Sequence, residues 1–190
     1  MRKLLYINSC VNRETSRTMR VSTELVNKLK DDYEVTELVL EDEELVPLNS
    51  TRLNERSALL SEGDFNNAFF NFARQFAEAD CIVIAAPYWD CGFPAMLKIY
   101  IENISVPGIA YKYSEEGIPT GLCKAEKLYY VTSRGGFVPD EGDLGYKTIE
   151  AMAKYYGISQ VECISLQGTD IPTTDIEEAI ENIAAGFAAL

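Results

Sequence analysis

Continuous hydrophobic runs alternate along this chain with segments in which hydrophobic residues recur at helical spacing. Short apolar runs rich in β-branched and aromatic residues predict five strands. These are Lys3–Ile7, Tyr33–Leu40, Cys81–Ala86, Leu128–Thr132 and Val161–Leu166. The run Cys81–Ala86 is apolar at every position, which is typical of a parallel strand covered by helices on both faces.

Helical spacing of apolar residues predicts helices between these strands and after the last one. The predicted helices are Ser16–Lys30, a stretch around Arg52–Ser61, Pro94–Ile104, Leu144–Tyr156 with a C-cap signal at Gly157, and Thr174–Leu190. A further helix is predicted from the phenylalanine stripe, which is Phe65, Phe69, Phe72 and Phe76 at spacings of 4, 3 and 4. We interpret this stripe as one core-facing side of a single helix.

Strand–helix alternation repeated five times is typical of a parallel sheet with helices on both faces. Five strands suit the doubly wound, flavodoxin-like order 2-1-3-4-5. The segment Gly108–Leu122 interrupts the pattern with two alternating stretches around Glu-Glu-Gly and predicts a β-hairpin excursion. With 190 residues and 47% hydrophobic content, residues 1–190 are expected to form a single α/β domain.

The formal charge is strongly negative overall but positive at the start of the chain. Lys and Arg number 17 against 30 Asp and Glu, a net of −13, which argues against nucleic acid and anionic membranes as partners. Residues 1–30 hold seven basic and two acidic side chains, a net of +5. An anion is therefore expected to bind there, although a solvated helix face would have the same composition.

Two residue types limit the possible chemistry further. Histidine is absent, which argues against Ser-His-Asp hydrolases and His-ligated metal sites. The five cysteines are odd in number and contain no C-x-x-C pair, so neither a disulfide framework nor a zinc site is expected. We see no signal peptide or membrane-spanning run and expect a cytoplasmic protein.

The first candidate loop, Asn8–Arg17 (NSCVNRETSR), follows the first strand and leads into a helix. It carries three hydroxyl side chains and two cations: Ser9, Thr15, Ser16, Arg13 and Arg17. Free N–H groups and the dipole at a helix N-terminus attract phosphate. The loop lacks G-x-G-x-x-G and G-x-x-x-x-G-K-[ST], so it is neither a Rossmann loop nor a P-loop. It predicts a phosphate site, or else an ordinary capped helix.

The second and third loops follow the third and fourth strands of the predicted sheet. Pro87–Pro94 (PYWDCGFP) holds the only tryptophan, and aromatic side chains at a strand end can flank a flat ligand. Thr132–Gly136 (TSRGG) has two glycines that allow close backbone approach, with Ser133 and Arg134 as donors. The alternatives are a hydrophobic turn capping the core and a tight strand-to-helix turn.

All three loops fall at the carboxyl ends of the strands where doubly wound sheets bind their ligands. One loop suits a phosphate, the second suits a flat ring, and the third offers backbone donors. This combination predicts a mononucleotide with a flat ring, which means FMN.

Three motifs give the chain its resemblance to a known family. They are A-P-Y-W-D-C-G-F-P-A-M-L-K (Ala86–Lys98), G-I-A-Y-K-Y-S-E-E-G (Gly108–Gly117) and V-T-S-R-G-G (Val131–Gly136). With them, the chain resembles the FMN-dependent NAD(P)H:quinone oxidoreductases and azoreductases of the flavodoxin-like superfamily over nearly its whole length. It departs from the family at Glu14, where Ser-x-Ser is usual, and at residues 89–91, where Trp-Asp-Cys replaces Tyr-Asn-Phe.

The resemblance implies a set of contacts to FMN. The phosphate would be held by Ser9, Thr15, Ser16 and Arg17. The isoalloxazine would lie along Pro87, Tyr88, Trp89, Asp90 and Cys91, and its pyrimidine edge would meet Ser133, Arg134, Gly135 and Gly136. Tyr111 and Tyr113 would sit in a hairpin that shields the site, with Tyr111 as a possible substrate contact.

The resemblance also implies a two-step reaction in a homodimer. NADH or NADPH would reduce FMN and leave, and a quinone or azo compound would be reduced in the same place. The N–H groups of Gly135 and Gly136 would stabilise negative charge on the reduced ring. The hairpin, an excursion from its own sheet, would reach the partner's site. Arg13 or Arg134 could meet a 2′-phosphate, so the preferred donor stays open.

Two other functions are compatible with parts of the pattern. A flavodoxin-type electron carrier shares the fold and the FMN, but the hairpin and TSRGG argue against it. A low-molecular-weight tyrosine phosphatase needs C-x5-R, whereas Cys10 and Arg17 are separated by six residues. We interpret Cys10 and Cys91 as small thiols without a catalytic role, because neither has a His base or a C-x-x-C partner.

Overall fold

The computed structural model describes residues 1–189 and contains a five-stranded parallel sheet beside a two-stranded hairpin. The sheet strands are β1 (Arg2–Asn8), β2 (Tyr33–Val39), β3 (Cys81–Ala85), β6 (Lys127–Ser133) and β7 (Gln160–Leu166). The hairpin strands are β4 (Tyr111–Tyr113) and β5 (Pro119–Gly121). The sheet order is β2-β1-β3-β6-β7, which confirms the predicted order once the hairpin strands are set aside.

Six α-helices connect and cover these strands. They are α1 (Arg17–Leu29), α2 (Ser50–Glu62), α3 (Asn71–Glu78), α4 (Ala95–Ile104), α5 (Leu144–Tyr155) and α6 (Ile176–Gly186). Polar side chains accept hydrogen bonds from the first turns of four of them: Ser16, Asn49, Asp143 and Asp175. The last α-helix ends at Gly186, before the predicted end, and a 3₁₀ turn follows to Ala189. Leu190 lies outside the described residues.

The prediction that the phenylalanine stripe forms one face of a single helix is wrong. The side chain of Asn67 accepts a hydrogen bond from the Phe69 N–H at 3.0 Å and starts a separate 3₁₀ turn. Helix α3 begins only at Asn71, and Phe65 lies outside both elements and is exposed. The local capping bond therefore interrupts a pattern whose spacing alone indicates continuous helix.

Hydrophobic cores cover both faces of the sheet. Helices α3, α4 and α5 pack over one face, where Ile7 and Ile82 are fully buried, and α1 and α6 cover the other around Leu25. Fully burying one such side chain stabilises the fold by about 1.5–3 kcal/mol. The carboxyl ends of the strands stay open between the two helical layers. Within residues 1–189, no helix combines the length and apolar character needed to cross a membrane.

The hairpin packs on the carboxyl end of α5 instead of joining the sheet. The rings of Tyr111 and Tyr156 stack with centroids 6.0 Å apart and an interplanar angle of 5°. Gly121 lies so close to the backbone of Tyr156 that a Cβ there would be 2.0 Å from its carbonyl carbon. Only glycine permits this approach, so the hairpin is fixed on its own chain at its base.

Candidate functional site

A cleft of about 370 Å³ opens at the carboxyl edge of the sheet, between the ends of β1, β3 and β6. Its lining residues come from all three predicted loops: Val11, Asn12, Thr15, Ser16, Arg17, Pro87, Trp89 and Ser133. The structure therefore brings the three loops together in one place. Val11 and Asn12 were not among the predicted site residues.

Hydrogen bonds join the three loops and fix the shape of the cleft. The Ser9 N–H donates to the Ala85 carbonyl at 2.9 Å, and the Tyr88 N–H donates to the Ser133 carbonyl at 3.0 Å. The hydroxyl groups of Thr18 and Ser133 lie 2.6 Å apart. Thr18 is buried one residue inside α1, and no sequence signal distinguished it from an ordinary helix residue.

The end of the cleft at α1 has the properties of an anion site. Ser16 caps the helix by accepting a hydrogen bond from the Met19 N–H at 3.1 Å. The N–H groups of Arg17 and Thr18, in the first turn, have no carbonyl partner within the helix. The Ser9 hydroxyl is buried and has no hydrogen-bond partner within residues 1–189. Burying such a group is costly unless a ligand satisfies it, and a phosphate oxygen would do so.

Arg17 is the cation that lines the cleft, and its Nη1 lies 3.3 Å from Oδ1 of Asp170. Arg13 is directed elsewhere, because its guanidinium pairs with Asp42 at 2.9 and 3.2 Å. The N-terminal excess of positive charge is largely neutralised in the same way, by acids from later in the chain that pair with Arg2, Lys3 and Arg20.

The second loop makes a tight two-residue turn between Trp89 and Gly92. Trp89 donates to the Gly92 carbonyl at 3.1 Å, and Gly92 donates back at 2.7 Å. Asp90 and Cys91 between them have φ angles of 50° and 63°, the left-handed region that type I′ turns require. The turn leaves Trp89 48% exposed at the cleft wall.

Not every predicted residue of this loop lines the cleft. Pro87 and Trp89 do, whereas Asp90 and Cys91 are exposed at the tip of the turn. Tyr88 is partly buried behind the turn, and its pKa is raised by desolvation and by the neighbouring Cys91 thiol. Non-glycine residues in left-handed conformation are costly and concentrate at functional sites, so this turn is a strained part of the cleft wall.

The prediction that Arg134 offers donors to a ligand is wrong. Its side chain is fully buried, with Nη2 at 2.9 Å from Asp143 and Nη1 at 2.8 Å from Asp140. Its backbone N–H donates to the Leu166 carbonyl at 2.8 Å. Asp143 also caps α5 by accepting from Tyr146 at 2.9 Å. A buried guanidinium must be paired, and here it meets the fully buried Asp143 and the partly exposed Asp140.

Gly135 and Gly136 are held by the loop that follows β7, which the sequence did not indicate as part of the site. Their carbonyls accept from the N–H groups of Asp170 and Gly168 at 3.0 and 3.1 Å. Their own N–H groups donate to no group within the described residues. A Cβ on Gly135 would lie 2.2 Å from Oδ2 of Asp170, so a larger residue there would displace the Asp170 carboxylate. Two backbone donors therefore stay available at this edge.

Cys10 lacks the properties of a nucleophile. Its side chain is buried, with Sγ 3.9 Å from the Ala85 carbonyl oxygen. Burial raises the pKa of this thiol to about 11. Because the thiolate is the reactive form, this environment argues against the phosphatase alternative.

Tyr111 does not line the cleft of its own chain. It contacts Tyr155, with ring centroids 4.7 Å apart, and lines a separate groove with Ser105 and Met152. The Tyr155 hydroxyl donates to that of Tyr113 at 2.7 Å. The hairpin is packed on α5 and not over the loops of its own chain. The substrate contact of Tyr111, expected from a hairpin that reaches the partner's site, stays a prediction.

Comparisons with known proteins agree over almost the full chain. The family described as having a flavodoxin-like fold matches residues 2–190. An FMN-dependent NADH:quinone oxidoreductase from Clostridium perfringens strain ATCC 13124 is 34% identical over 186 residues, which cover 95% of this chain and 93% of the relative. One of the same name from Coprothermobacter proteolyticus is 33% identical over 190 residues, covering 96% and 94%.

Two solved structures share the fold. An azoreductase from Bacillus anthracis strain Sterne has a TM-score of 0.85 at 24% identity, over 100% of this chain and 98% of that one. An FMN-dependent NADH-azoreductase from Bacillus anthracis strain Ames Ancestor, solved in complex with FMN, has a TM-score of 0.83 at 20% identity, over 100% and 99%. By its family match and its relatives above 30% identity, this chain belongs to the family of FMN-dependent NADH:quinone oxidoreductases, within the flavodoxin-like fold.

Proposed function

We propose that this protein is an FMN-dependent NAD(P)H oxidoreductase that reduces quinones, azo compounds or related acceptors in two-electron steps. One observation carries the proposal: a helix N-terminus rich in hydroxyl groups, an exposed tryptophan and Ser133 line one cleft, and a diglycine turn with free N–H groups follows Ser133 by two residues. These suit the phosphate, the ring face and the ring edge of one mononucleotide. The names of the relatives support the same activity.

The residues of the cleft fit FMN on chemical grounds. Ser9, Thr15, Ser16 and Arg17 would hold the phosphate, and the unpartnered Ser9 hydroxyl would gain a hydrogen bond. The isoalloxazine ring would lie along Pro87, Tyr88, Trp89, Asp90 and Cys91. Ser133, Gly135 and Gly136 would meet the pyrimidine edge of the ring. When bound, FMN supplies hydride chemistry, accepting two electrons from a nicotinamide donor and delivering them to an acceptor.

The chain itself contributes binding, orientation and fixed dipoles. The exposed face of Trp89 offers a surface for flat groups. The N–H groups of Gly135 and Gly136, held by the loop after β7, are set in advance to stabilise negative charge at the ring edge. The proposed reaction requires no acid or base from the protein, because the cofactor carries the hydride chemistry.

We further propose that the chain is one FMN-binding domain that acts in the cytoplasm as a homodimer. The five cysteines are all free, which suits a reducing compartment. Phe137 and Leu144, which follow the diglycine turn, are large, apolar and exposed, as is Trp89; such a rim suits contact with a second copy. In this arrangement the hairpin carrying Tyr111 would reach the partner's cleft. Light scattering that shows a fully active monomer of 21.2 kDa would contradict the dimer.

An anaerobic titration tests the activity and separates it from that of an electron carrier. The purified protein, loaded with FMN, should lose its flavin absorbance on addition of NADH and regain it when a quinone is added. A carrier would bind FMN but would not be reduced by NADH without a partner reductase. Protein that takes up no FMN would contradict both functions.

A further inference from the structure

Asp170 occupies an unusual position for an acidic residue, since it lies between the two groups that would meet the anion and the ring edge. Its Oδ1 lies 3.3 Å from Nη1 of Arg17, the cation that lines the cleft. Its Oδ2 covers Gly135, at 2.2 Å from where a Cβ would be. Its backbone N–H donates to the Gly135 carbonyl at 3.0 Å. The backbone of Asp170 is thus held beside the anion site, and its carboxylate, on a side chain that is 78% exposed, lies within reach of Arg17.

The pair formed with Arg17 adds little to fold stability. Exposed ion pairs are worth little, and here the two side chains are 41% and 78% exposed. The effect on ligand affinity is larger, because the Asp170 carboxylate partly neutralises the positive charge with which Arg17 would attract a phosphate. A phosphate bound at the start of α1 would also be repelled by Asp170 itself. The carboxylate therefore competes with the ligand for the same cation.

We propose that Asp170 sets the affinity of the cleft for the phosphate group by competing for Arg17. This inference rests on the proposed function, because it concerns the phosphate of FMN. Asp170 is a positioning residue that holds the Arg17 guanidinium. Its carboxylate lowers the contribution of the phosphate group to the affinity for FMN.

The chain contains a matched control pair on the same helix. Arg20, one turn further along α1, pairs with Glu177 at 2.9 Å, and their side chains are 46% and 70% exposed. Neither residue lines the cleft. Glu177→Gln therefore removes an exposed acidic partner of an α1 arginine without changing the anion site.

The experiment measures the dissociation constants of FMN and riboflavin for flavin-free protein, followed by flavin fluorescence at low salt. Asp170→Asn keeps the side-chain shape over Gly135 and should tighten FMN binding by about 2- to 5-fold, a gain of the size measured for exposed charge pairs. Riboflavin, which has no phosphate, should bind unchanged. Glu177→Gln should change neither constant. High salt should reduce the gain for FMN.

Three outcomes would overturn the inference. One is unchanged FMN affinity in a folded Asp170→Asn variant. Another is equal tightening of FMN and riboflavin, which would place the effect at the ring. The third is an undiminished gain from Asp170→Asn in an Arg17→Gln background, since the carboxylate would then act without the guanidinium. Wild-type protein that binds neither flavin would contradict the proposed function instead, so the two failures are distinguishable.

Discussion

The hydroxyl groups of Thr18 and Ser133, 115 residues apart in sequence, lie 2.6 Å apart and join the first turn of α1 to the end of β6. Thr18 is fully buried, and Ser133 lines the cleft. The bond therefore connects the anion end of the cleft directly to the loop with the free N–H groups. Neither hydroxyl is required for the strand or the helix that carries it, so the pair serves the geometry of the cleft.

Thr18→Val removes this bond while keeping the side-chain shape. We expect a loss of about 1–2 kcal/mol in the free energy of unfolding, because the partly buried Ser133 hydroxyl loses its partner. Urea unfolding measures the loss, and FMN titration should show weaker binding. Thr148→Val is the matched control, since the exposed Thr148 hydroxyl donates only to the Leu144 carbonyl of its own helix. Equal losses in both variants would show that the Thr18 bond has no special role.

The turn at Asp90 and Cys91 predicts a stabilising substitution. Cys91 has a φ of 63°, which costs a non-glycine residue about 1–2 kcal/mol. Cys91→Gly removes this conformational strain. Part of the resulting stabilisation is lost, because glycine also increases the conformational entropy of the unfolded chain. We expect it to be about 0.5–1 kcal/mol more stable than Cys91→Ala, which keeps the Cβ. Thermal melts of the two variants decide, and equal midpoints would mean that the turn is relaxed.

The ion pairs that the buried Arg134 makes with Asp143 and Asp140 predict a large loss of fold stability when Arg134 is replaced. Arg134→Met should destabilise the fold by about 3–5 kcal/mol, because it leaves the fully buried Asp143 without its partner. The double variant Arg134→Met with Asp143→Leu should recover part of this loss. Arg20→Met, which breaks the exposed pair with Glu177, should cost far less in the same urea titration. A small loss in Arg134→Met would contradict the assignment of a buried, paired guanidinium.

Sequence patterns predicted the sheet because its strands are buried on both faces. Ile82, Val83 and Ile84 are apolar at consecutive positions and are buried against the cores on the two faces of the sheet, so the pattern and the structure have the same cause. The prediction of one helix from the phenylalanine stripe was wrong because a capping hydrogen bond, from the Phe69 N–H to the Asn67 side chain, interrupts the helix despite the helical spacing. Periodicity records which residues are apolar but not where a side chain ends the helix.

The site was predictable in its location but not in its electrostatics. The rule that doubly wound sheets bind ligands at the carboxyl ends of certain strands selected three loops that the structure brings together, and Arg17 and Trp89 line the cleft between them. Arg134 stands in the same loop as Ser133, yet it points inward to carboxylates that lie six and nine residues later. Asp170 comes from the loop after β7, a strand that the rule did not select. Which arginine is available to a ligand depends on the acidic residues that it pairs with in the folded chain. The spacing of residues along the sequence does not reveal these pairs.

The pairing of the cations favours NADH over NADPH as the donor. Arg13 is held by Asp42, and Arg134 is buried, so neither is free for a 2′-phosphate. We expect kcat/KM for NADH to exceed that for NADPH by about tenfold or more, the value of one charge-assisted contact. Steady-state assays with both donors measure the ratio. Asp42→Asn removes the nearer of the two acidic partners of Arg13 and leaves Glu41 at 3.9 Å. It should improve NADPH use and leave NADH use unchanged, and equal rates in the wild type would contradict the prediction.

Trp89 should report flavin binding directly, because it is the only tryptophan and lines the cleft 48% exposed. Its emission should be strongly quenched in FMN-loaded protein and should return when FMN is removed, since a stacked flavin accepts the excitation energy. The same titration should give one FMN per chain. Trp89→Phe is the control, because it keeps an aromatic face and should still bind FMN, as flavin absorbance will show, while removing the tryptophan signal. Yellow protein with fully emissive Trp89 would mean that FMN binds away from this loop, and the ring contacts proposed for Pro87–Cys91 would then be wrong.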